Sequence, residues 1–211
     1  MVHVRWARIQ ELTGCHVDLL DEHERERLTR LRLVADRDRF VLGAVLVRSL
    51  VAGLEQTEPS LVQLDRACPR CGAQHGPVRT PGRPWHCSVS HSGPFAVVAV
   101  LAASAGSTVG IDLETTCPPD WRTLLPDLLA PGEAAPEDEI GFLRTWVRKE
   151  AVVKATREGL SRRLSSVDLA APPGQLRVLD LDVAELAAPG ATAAAVAVDG
   201  AAHVEVRRAR I

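Results

Sequence analysis

The apolar residues of this 211-residue chain follow two different spacings, and both spacings occur in each half of the sequence. Apolar and polar side chains alternate over residues 2–9, as expected of a half-buried strand. Residues 36–52 and 138–157 instead repeat apolar side chains at helical spacing. Strand and helix patterns in each half predict an α+β protein, built from two similar, packed α+β halves over residues 1–105 and 106–211.

Local signals predict the remaining elements. A charged first helix begins after Asp18 or Asp21, either of which can cap it. The long helix of the second half ends at Gly159, because glycine accepts a left-handed backbone. Residues 58–84 are rich in Pro, Gly and Cys and are predicted to form a loop. The other predicted strands cover residues 96–102, 107–113, 167–181 and 193–206.

Composition excludes several classes of protein. The 25 basic and 27 acidic side chains leave a net charge of −2, whereas a general nucleic-acid-binding protein carries a basic excess. The N-terminal residues lack the apolar core of a secretory signal, and the longest apolar stretch is too short to span a bilayer. Five cysteines are an odd number, unlike a secreted disulfide framework. We therefore expect a cytoplasmic protein with no nucleic-acid or membrane partner.

Lysine is nearly absent from the chain. Of the 25 basic residues only two are lysines, Lys149 and Lys154, and both lie on the predicted helix of the second half. Helical spacing aligns Lys154 with Trp146 and Glu150. The simpler interpretation is a surface Glu150–Lys154 pair worth about 0.3–0.5 kcal/mol. Lysine carries a compact point charge that can reach a phosphate oxygen, unlike the planar guanidinium of arginine. Two lysines kept on one helix of an arginine-rich chain therefore favour chemistry on a phosphate.

A second pattern places two carboxylates side by side. In the run from Gly110 to Glu114 (GIDLE), alternate side chains share a strand face. Asp112 and Glu114 therefore point together, while the apolar residues between them point into the core. Two carboxylates at one point repel each other unless a cation or a shared proton is present. The alternative is the solvated face of an amphipathic strand.

Other polar groups could contact an anion. His91 lies between Ser90 and Ser92, where it could donate to a phosphate or serve as a structural histidine. The arginines of the first helical region are expected to be mostly solvated; they are Arg30, Arg32, Arg37 and Arg39.

Together these motifs resemble the paired signatures of the 4′-phosphopantetheinyl transferases. Residues 110–114 (GIDLE) are followed by residues 146–154 (WVRKEAVVK), and residues 90–92 (SHS) and 39–43 (RFVLG) are similar to that family too. Length, motif order and residues 155–160 (ATREGL) resemble the monomeric, surfactin-type (Sfp-like) branch and not the short trimeric holo-acyl-carrier-protein synthases.

The resemblance implies a reaction and a metal site. Members of this family move the phosphopantetheine arm of coenzyme A to a serine of an acyl or peptidyl carrier protein and release 3′,5′-adenosine diphosphate. A Mg²⁺ site for such chemistry uses one or two carboxylates with substrate phosphates and waters. The resemblance implies Asp112, Glu114 and Glu150 as Mg²⁺ ligands, with Asp112, Glu150 and Lys154 as the catalytic set. Glu150 is also the candidate base, directly or through a metal-bound water.

The resemblance further implies the contacts of coenzyme A, the co-substrate. Lys154 would contact the pyrophosphate, and His91 and Arg39 would contact other phosphates of coenzyme A, with Ser90 beside them. Lys149 is assigned to the coenzyme A site as well, where it would hold the charge network in place.

A monomer is implied in which the two halves form a pseudo-dimer with coenzyme A between them. The carrier protein is expected to be acidic, so a basic patch near the site could steer it. The patch consists of Arg144, Arg148, Arg157, Arg162 and Arg163. The expected pathways are those of secondary metabolism, with a polyketide or non-ribosomal peptide carrier, and a fatty-acid carrier stays open.

Two positions depart from the family pattern. Ser88 stands where the family often has asparagine, which leaves the hydrogen bonds of that position open. The basic–proline pair expected after residue 76 is replaced by residues 77–79 (PVR). The adenine-side contact therefore stays open between Arg79 and Arg83.

Cys68 and Cys71 form a Cys-x-x-Cys pair that, with His75, has the turn chemistry of half a zinc knuckle. A tetrahedral site would need a fourth ligand, for which Cys87 and His86 are close in sequence. Because no second Cys-x-x-Cys follows, reduced loop thiols are favoured over a structural zinc.

Two other functions compete with the transferase. One is a catalytically degenerate module that only binds coenzyme A or a carrier protein, which the intact Asp112, Glu114, Glu150 and Lys154 disfavour. The other is a small zinc-bearing nucleic-acid protein, which the net charge disfavours.

Overall fold

A computed structural model describes residues 1–159, 162–184, 192–200, 202–209 and 211 of the chain. Its helices are α1 (Glu22–Arg30), α2 (Val34–Glu55), α3 (Leu125–Leu128) and α4 (Glu139–Thr156). Its strands are β1 (Val2–Arg8), β2 (Trp85–Ser92), β3 (Phe95–Ala102), β4 (Val109–Glu114), β5 (Arg177–Asp180), β6 (Ala193–Val198) and β7 (Val204–Arg208).

The strands form two sheets, with the orders β2-β3-β1-β7 and β4-β6-β5. Neighbouring strands are antiparallel except β1 and β7, which are parallel. The last strand of the chain thus pairs with the first and returns to the sheet of the first half. The division at residues 105 and 106 stays a prediction, and β7 is the segment that crosses it.

The two sheets face each other, and each carries one long helix on its outer side. Even-numbered residues of β3 pack against α2, whereas its odd-numbered residues, such as Phe95 and Leu101, join a core shared with β4 and β6. Along β6 the odd-numbered alanines pack against α4 instead. The layer order is α2, first sheet, second sheet, α4. Two sheets, each covered by one long helix, confirm the predicted α+β fold.

A buried ion pair joins α1 to α2. Arg48 of α2 is 2% exposed, and its guanidinium donates to both carboxylate oxygens of Glu24 in α1, at 3.1 and 2.6 Å. Asp21 accepts from the backbone N–H of Glu24 at 2.8 Å, so Asp21, and not Asp18, caps α1. Within the described residues, none of the helices combines the length and apolarity that crossing a membrane requires.

Three local predictions need correction. Strand β2 was not among the predicted strands, because its sequence WHCSVSHS is too polar for the pattern of a buried strand. Residues 167–181, predicted as a strand, form only one 3-10 turn (Pro173–Gln175) and the short β5. The left-handed residue that ends α4 is Arg157 (φ 59°), and Gly159 takes the same conformation two residues later. Leu160, the end of the predicted family motif, lies outside the described residues.

Candidate active site

Three serine side chains join the two sheets where their edge strands β2 and β4 lie side by side. Ser88, Ser90 and Ser92 of β2 accept hydrogen bonds from backbone N–H groups at 3.0, 3.4 and 3.1 Å. The donors, in the same order, are Ile111, Leu113 and Thr115. We call the three serines the serine ladder. Ser88 stands where the family often has asparagine, and its hydroxyl accepts one of these bonds. The position therefore forms a hydrogen bond to the second sheet with serine in place of asparagine.

The serine ladder also orients the two predicted strand carboxylates. A hydroxyl that accepts from an N–H can still donate its own hydrogen. Ser90 donates to Oδ1 of Asp112 and Ser92 donates to Oε2 of Glu114, both at 2.7 Å. These hydroxyls therefore hold Asp112 and Glu114 on one face of β4. The serines of β2 occur at every second residue, and this spacing is the sequence signal that could have indicated the hydroxyls.

Helix α4 crosses β4 at Gly110. A Cβ atom at this position would overlap the carbonyl oxygen of Ala151 and the backbone nitrogen of Ala155. Glycine thus permits the helix to lie directly on the strand. The close approach brings the Lys154 ammonium to 2.6 Å from Oδ1 of Asp112, with Glu150 one turn earlier on the same helix.

Asp112 has one satisfied and one unsatisfied carboxylate oxygen. The side chain is buried, with 3% of its surface exposed. Oδ1 accepts from Ser90 and Lys154, whereas Oδ2 is buried without a hydrogen-bond partner among the described residues. Buried polar atoms nearly always have a partner, so an orphaned carboxylate oxygen indicates a missing ligand. A hard cation such as Mg²⁺ prefers oxygen ligands of this kind.

The negative charge of Asp112 acts on the carboxyl groups of both Glu114 and Glu150. Desolvation raises the pKa of Glu114, and the charges of Asp112 and Glu150 raise it further against the lowering effect of Ser92. Desolvation and the charge of Asp112 also raise the pKa of Glu150. This mutual repulsion is what a bound cation would relieve. The structure thus brings the three predicted carboxylates into one region, although their oxygens do not form a closed ligand cluster.

A cleft of about 390 Å³ lies between the two halves and is lined by Lys154, the partner of Asp112. This volume falls within the usual range of small-molecule sites, roughly 300–1,000 Å³. The first half lines it with residues between Arg66 and Val89, and the second half lines it with residues 153–159. Lys154 and Arg157 are among the latter, so basic groups from both halves face the same space.

His91 lies in a positive field that favours an anionic ligand. Desolvation lowers the pKa of His91, and the nearby charges of Lys154, Arg39 and Arg66 lower it further. Arg39 also donates to the carbonyl oxygen of Gly93 at 2.9 Å, which fixes it beside the end of β2. His91, Arg39 and Lys154, which sequence reasoning assigned to phosphate contacts, are thus electrostatic neighbours.

Lys149 is not at this cleft. It is fully buried, forms an ion pair with Glu133, and donates to the carbonyl oxygens of Val167 at 2.7 Å and Leu164 at 3.4 Å. The predicted contact with coenzyme A does not fit this position, because helical geometry turns Lys149 away from the face that carries Glu150 and Lys154. Its ammonium instead links α4 to the loop that contains Glu133 and to the segment that contains Leu164 and Val167.

The two arginines proposed for the adenine side are engaged elsewhere. Arg79 pairs with Asp65 at 2.7 Å, and Arg83 pairs with Glu55. Arg66, which the sequence did not single out, lines the cleft, and its Nε is buried without a hydrogen-bond partner among the described residues. Burial lowers the pKa of Arg66 to about 10. No sequence motif marks this arginine, since it stands alone in a loop.

Comparison with known proteins identifies the family. Residues 4–103 match the family model described as 4′-phosphopantetheinyl transferase, N-terminal, and residues 108–191 match the 4′-phosphopantetheinyl transferase superfamily. The 4′-phosphopantetheinyl transferase Sfp of Bacillus subtilis (strain 168) is 30% identical over 166 residues, which cover 74% of this chain and 69% of Sfp. The chain belongs to the 4′-phosphopantetheinyl transferase family.

Within the family, the match to Sfp is longer than either half of the chain and confirms the similarity to the Sfp-like branch. The 4′-phosphopantetheinyl transferase AcpT of Salmonella typhimurium (strain LT2) is 38% identical over 109 residues. That alignment covers 48% of this chain and 55% of AcpT, so the chain spans about half the length of this relative. Psf-1 of Bacillus pumilus is 30% identical over 151 residues, covering 68% of this chain and 60% of the relative.

Proposed function

We propose that this protein transfers the 4′-phosphopantetheine arm of coenzyme A to a serine of an apo acyl or peptidyl carrier protein and releases 3′,5′-adenosine diphosphate. The observation that carries the proposal is the unpartnered Oδ2 of Asp112 beside Lys154, at the edge of a cleft lined by basic groups. Asp112, which can bind a cation, and Lys154, which can bind a phosphate, are therefore neighbours at this cleft. Membership of the family supports the same reaction.

Asp112, Glu114 and Glu150 would hold Mg²⁺, which fits the orphaned oxygen of Asp112 and the repulsion among the three carboxylates. When bound, Mg²⁺ would neutralise negative charge on the pyrophosphate of coenzyme A. Without a cation, three carboxylates would repel that pyrophosphate.

The side chains of the chain itself bind and orient the reactants. Lys154 lines the cleft and donates to Asp112, so its ammonium can also donate to a pyrophosphate oxygen. Arg39 supplies positive charge and His91 a ring N–H for other phosphates of coenzyme A, next to Ser90. The carrier serine oxygen forms the new bond to phosphorus as the bond from phosphorus to the oxygen of 3′,5′-adenosine diphosphate breaks. Glu150 is the candidate acceptor of the serine proton.

The basic patch is smaller than its five predicted arginines. Arg148 pairs with Asp180 at 2.6 Å and Arg162 pairs with Glu158 at 2.5 Å, which offsets two of the charges. Arg144, Arg157 and Arg163 are exposed. We propose that these three steer an acidic carrier protein, in which case the Michaelis constant for the carrier rises with salt. A salt-independent constant would exclude steering.

Incubation with coenzyme A, Mg²⁺ and a panel of apo carriers tests the proposed reaction. The panel contains polyketide, non-ribosomal peptide and fatty-acid carriers, and each carrier is weighed as an intact protein. We expect at least one to gain the mass of phosphopantetheine, and the relative rates assign the pathway. Binding of coenzyme A by calorimetry with no adduct on any carrier would support the degenerate binding module instead. A monomeric state and a cytoplasmic location stay predictions.

A further inference from the structure

The loop between α2 and β2 brings the ligand atoms of three residues together. The sulfur atoms of Cys68 and Cys71 and a ring nitrogen of His75 all lie within 4.8 Å of one another. The Sγ of Cys71 is 3.0 Å from Nε2 of His75. Cys71 and His75 are exposed and Cys68 is half-buried, so an ion can reach all three from solvent.

Two glycines make this convergence possible. Gly72 takes a left-handed φ of 74°, and its N–H donates to the carbonyl oxygen of Cys68 at 2.8 Å, which closes the Cys-x-x-Cys turn. At Gly76 a Cβ atom would come within 2.9 Å of the carbonyl oxygen of Ala67 and of Cα of Cys68. The absence of a side chain at Gly76 therefore lets the segment that carries His75 lie against Cys68.

Hydrogen bonds hold the loop both at its base, between Asp65 and Arg79, and near its tip, at Gln74. Asp65 and Arg79 exchange backbone hydrogen bonds at 2.9 and 2.8 Å and pair through their side chains. Arg27 of α1 donates to the carbonyl oxygen of Gln74 at 2.8 Å, and the side chain of Gln74 accepts from the backbone of Arg66 at 3.0 Å. These contacts hold the base of the loop and Gln74 in place, and none of them involves the three ligand atoms.

The backbone N–H groups of Arg70 and Cys71 donate hydrogen bonds to the sulfur of Cys68. Such donors stabilise a thiolate, which is the form of cysteine that binds a metal.

We propose that Cys68, Cys71 and His75 bind one Zn²⁺ ion, with the fourth position of the tetrahedron taken by a solvent molecule. Two thiolates and an imidazole select zinc over Mg²⁺, which prefers oxygen ligands. Typical bonds of about 2.3 Å to sulfur and 2.0–2.1 Å to nitrogen place these atoms about 3.5 Å apart in a tetrahedron. The observed 3.0 Å between Cys71 and His75 needs only a small opening of the turn.

The fourth ligands considered from the sequence do not join this cluster. Cys87 is buried, and desolvation raises the pKa of its thiol to about 12. His86 lies 3.1 Å from the guanidinium of Arg157 through Nδ1. Among the described residues, no other His, Cys, Asp or Glu belongs to the group, which leaves one coordination position open to solvent.

The zinc would fix one wall of the cleft. Cys68 and His75 line the cleft together with Arg66, across from Lys154 and Arg157. Holding this loop closed keeps that wall in place independently of any ligand in the cleft. The zinc site is thus separate from the carboxylates at β4.

Cobalt titration of the reduced, chelator-washed full chain tests the site. We expect one equivalent of Co²⁺ to produce thiolate-to-cobalt charge-transfer absorption and tetrahedral d–d bands, both removed by Zn²⁺. Cys71→Ser and His75→Ala should weaken or abolish these bands. Cys15→Ser is the control, because it removes an exposed cysteine that is distant in sequence from the loop, and it should leave these bands unchanged. Asp112→Asn should also keep them, since carboxylates give no sulfur absorption. Absence of the charge-transfer band in the wild type, or an unchanged spectrum in Cys71→Ser, would overturn the proposal.

Proteolysis provides a second readout that does not depend on colour. Arg70 is exposed within the Cys-x-x-Cys turn and is a trypsin site. Zn²⁺ should slow cleavage after Arg70 in the wild type and in Cys15→Ser, but not in Cys71→Ser, with circular dichroism checking that each variant is folded. Equal cleavage of the wild type with and without zinc would contradict the site. Neither experiment requires transferase activity.

Discussion

At the scale of single residues, the two lysines of this arginine-rich chain have different tasks. The ammonium of Lys149 is surrounded by three oxygen acceptors, from Glu133, Leu164 and Val167, which match its three N–H groups. Lys154 lies at the cleft beside Asp112. The rarity of lysine in the sequence therefore marks one structural position and one position in the candidate site, and nothing in the sequence separates them.

Lys149→Met is expected to lower the free energy of unfolding by about 3 kcal/mol, because it leaves a partly buried carboxylate and two carbonyl oxygens without their donor. Urea unfolding measures the change. Lys149→Arg should also destabilise, since a fully buried ammonium leaves no room for a guanidinium. An unchanged urea midpoint in both variants would show that the buried pair does not hold the loops.

The partner carboxylate predicts a pH dependence. Burial alone would raise the pKa of Glu133, but hydrogen bonds from Lys149 and from the backbone N–H groups of Ala130 and Leu169 outweigh it, and the pKa is lowered from its ordinary 4.5. A lowered carboxyl pKa stabilises the fold above pH 4.5, and this stability is lost as the pH falls through the folded-state pKa. The gap in unfolding free energy between wild type and Glu133→Gln should therefore be largest near neutral pH and shrink below pH 4.5. A gap that is constant from pH 7 to pH 3 would contradict the ion pair.

At the scale of elements, the contact of α4 with β4 and the serine ladder determine how the carboxylates meet Lys154. Gly110→Ala should push α4 off β4, because its Cβ would overlap backbone atoms that cannot rotate away. We expect a lower melting temperature and a large loss of transfer. Gly53→Ala is the matched control, since nothing lies within 4 Å of its Cβ in α2. It should be neutral or stabilise by about 0.5–1 kcal/mol. Equal behaviour of the two variants would mean that the close approach is not required.

Ser92→Ala tests the serine ladder. The change removes the donor to Glu114 and the acceptor for the N–H of Thr115. Outer contacts of a metal ligand typically contribute 10–100-fold to affinity, so the Mg²⁺ concentration for half-maximal transfer should rise roughly tenfold. Ser92→Thr keeps the hydroxyl and should restore much of the wild-type Mg²⁺ response. If Ser92→Ala needs no more Mg²⁺ than the wild type, Ser92 does not support the metal site.

The elements show why part of the site could be predicted from sequence and part could not. Asp112 and Glu114 follow from strand periodicity, and Glu150 and Lys154 follow from helix periodicity, because both patterns are local. Strand β2 was missed although its serines alternate, since its polar face meets the edge of another strand and not solvent. Arg66 was missed because only the folded loop brings it to the cleft.

At the scale of the whole molecule, neither half holds a complete site. The first half supplies Arg39, Arg66 and His91, whereas the second supplies Lys154 and the three carboxylates. The serine ladder and the return of β7 to the first sheet bind the halves into one unit. Residues 88–92 and residues 110–114 are separate in sequence, so their contact through the serine ladder is a property of the fold alone.

The role of Asp112 in transfer is tested by measuring phosphopantetheine addition by the wild type and by Asp112→Asn side by side, on the same apo carrier, by intact mass. We expect a Mg²⁺-dependent mass gain with the wild type and a rate lower by at least about 100-fold with Asp112→Asn. The amide is close in size to the carboxylate but removes its negative charge, and it places a donor nitrogen on one side of the group, so it is a poorer ligand for Mg²⁺. Circular dichroism of the variant confirms that it is folded. Transfer by Asp112→Asn at the wild-type rate would contradict the placement of the reaction at this junction of β4 and α4.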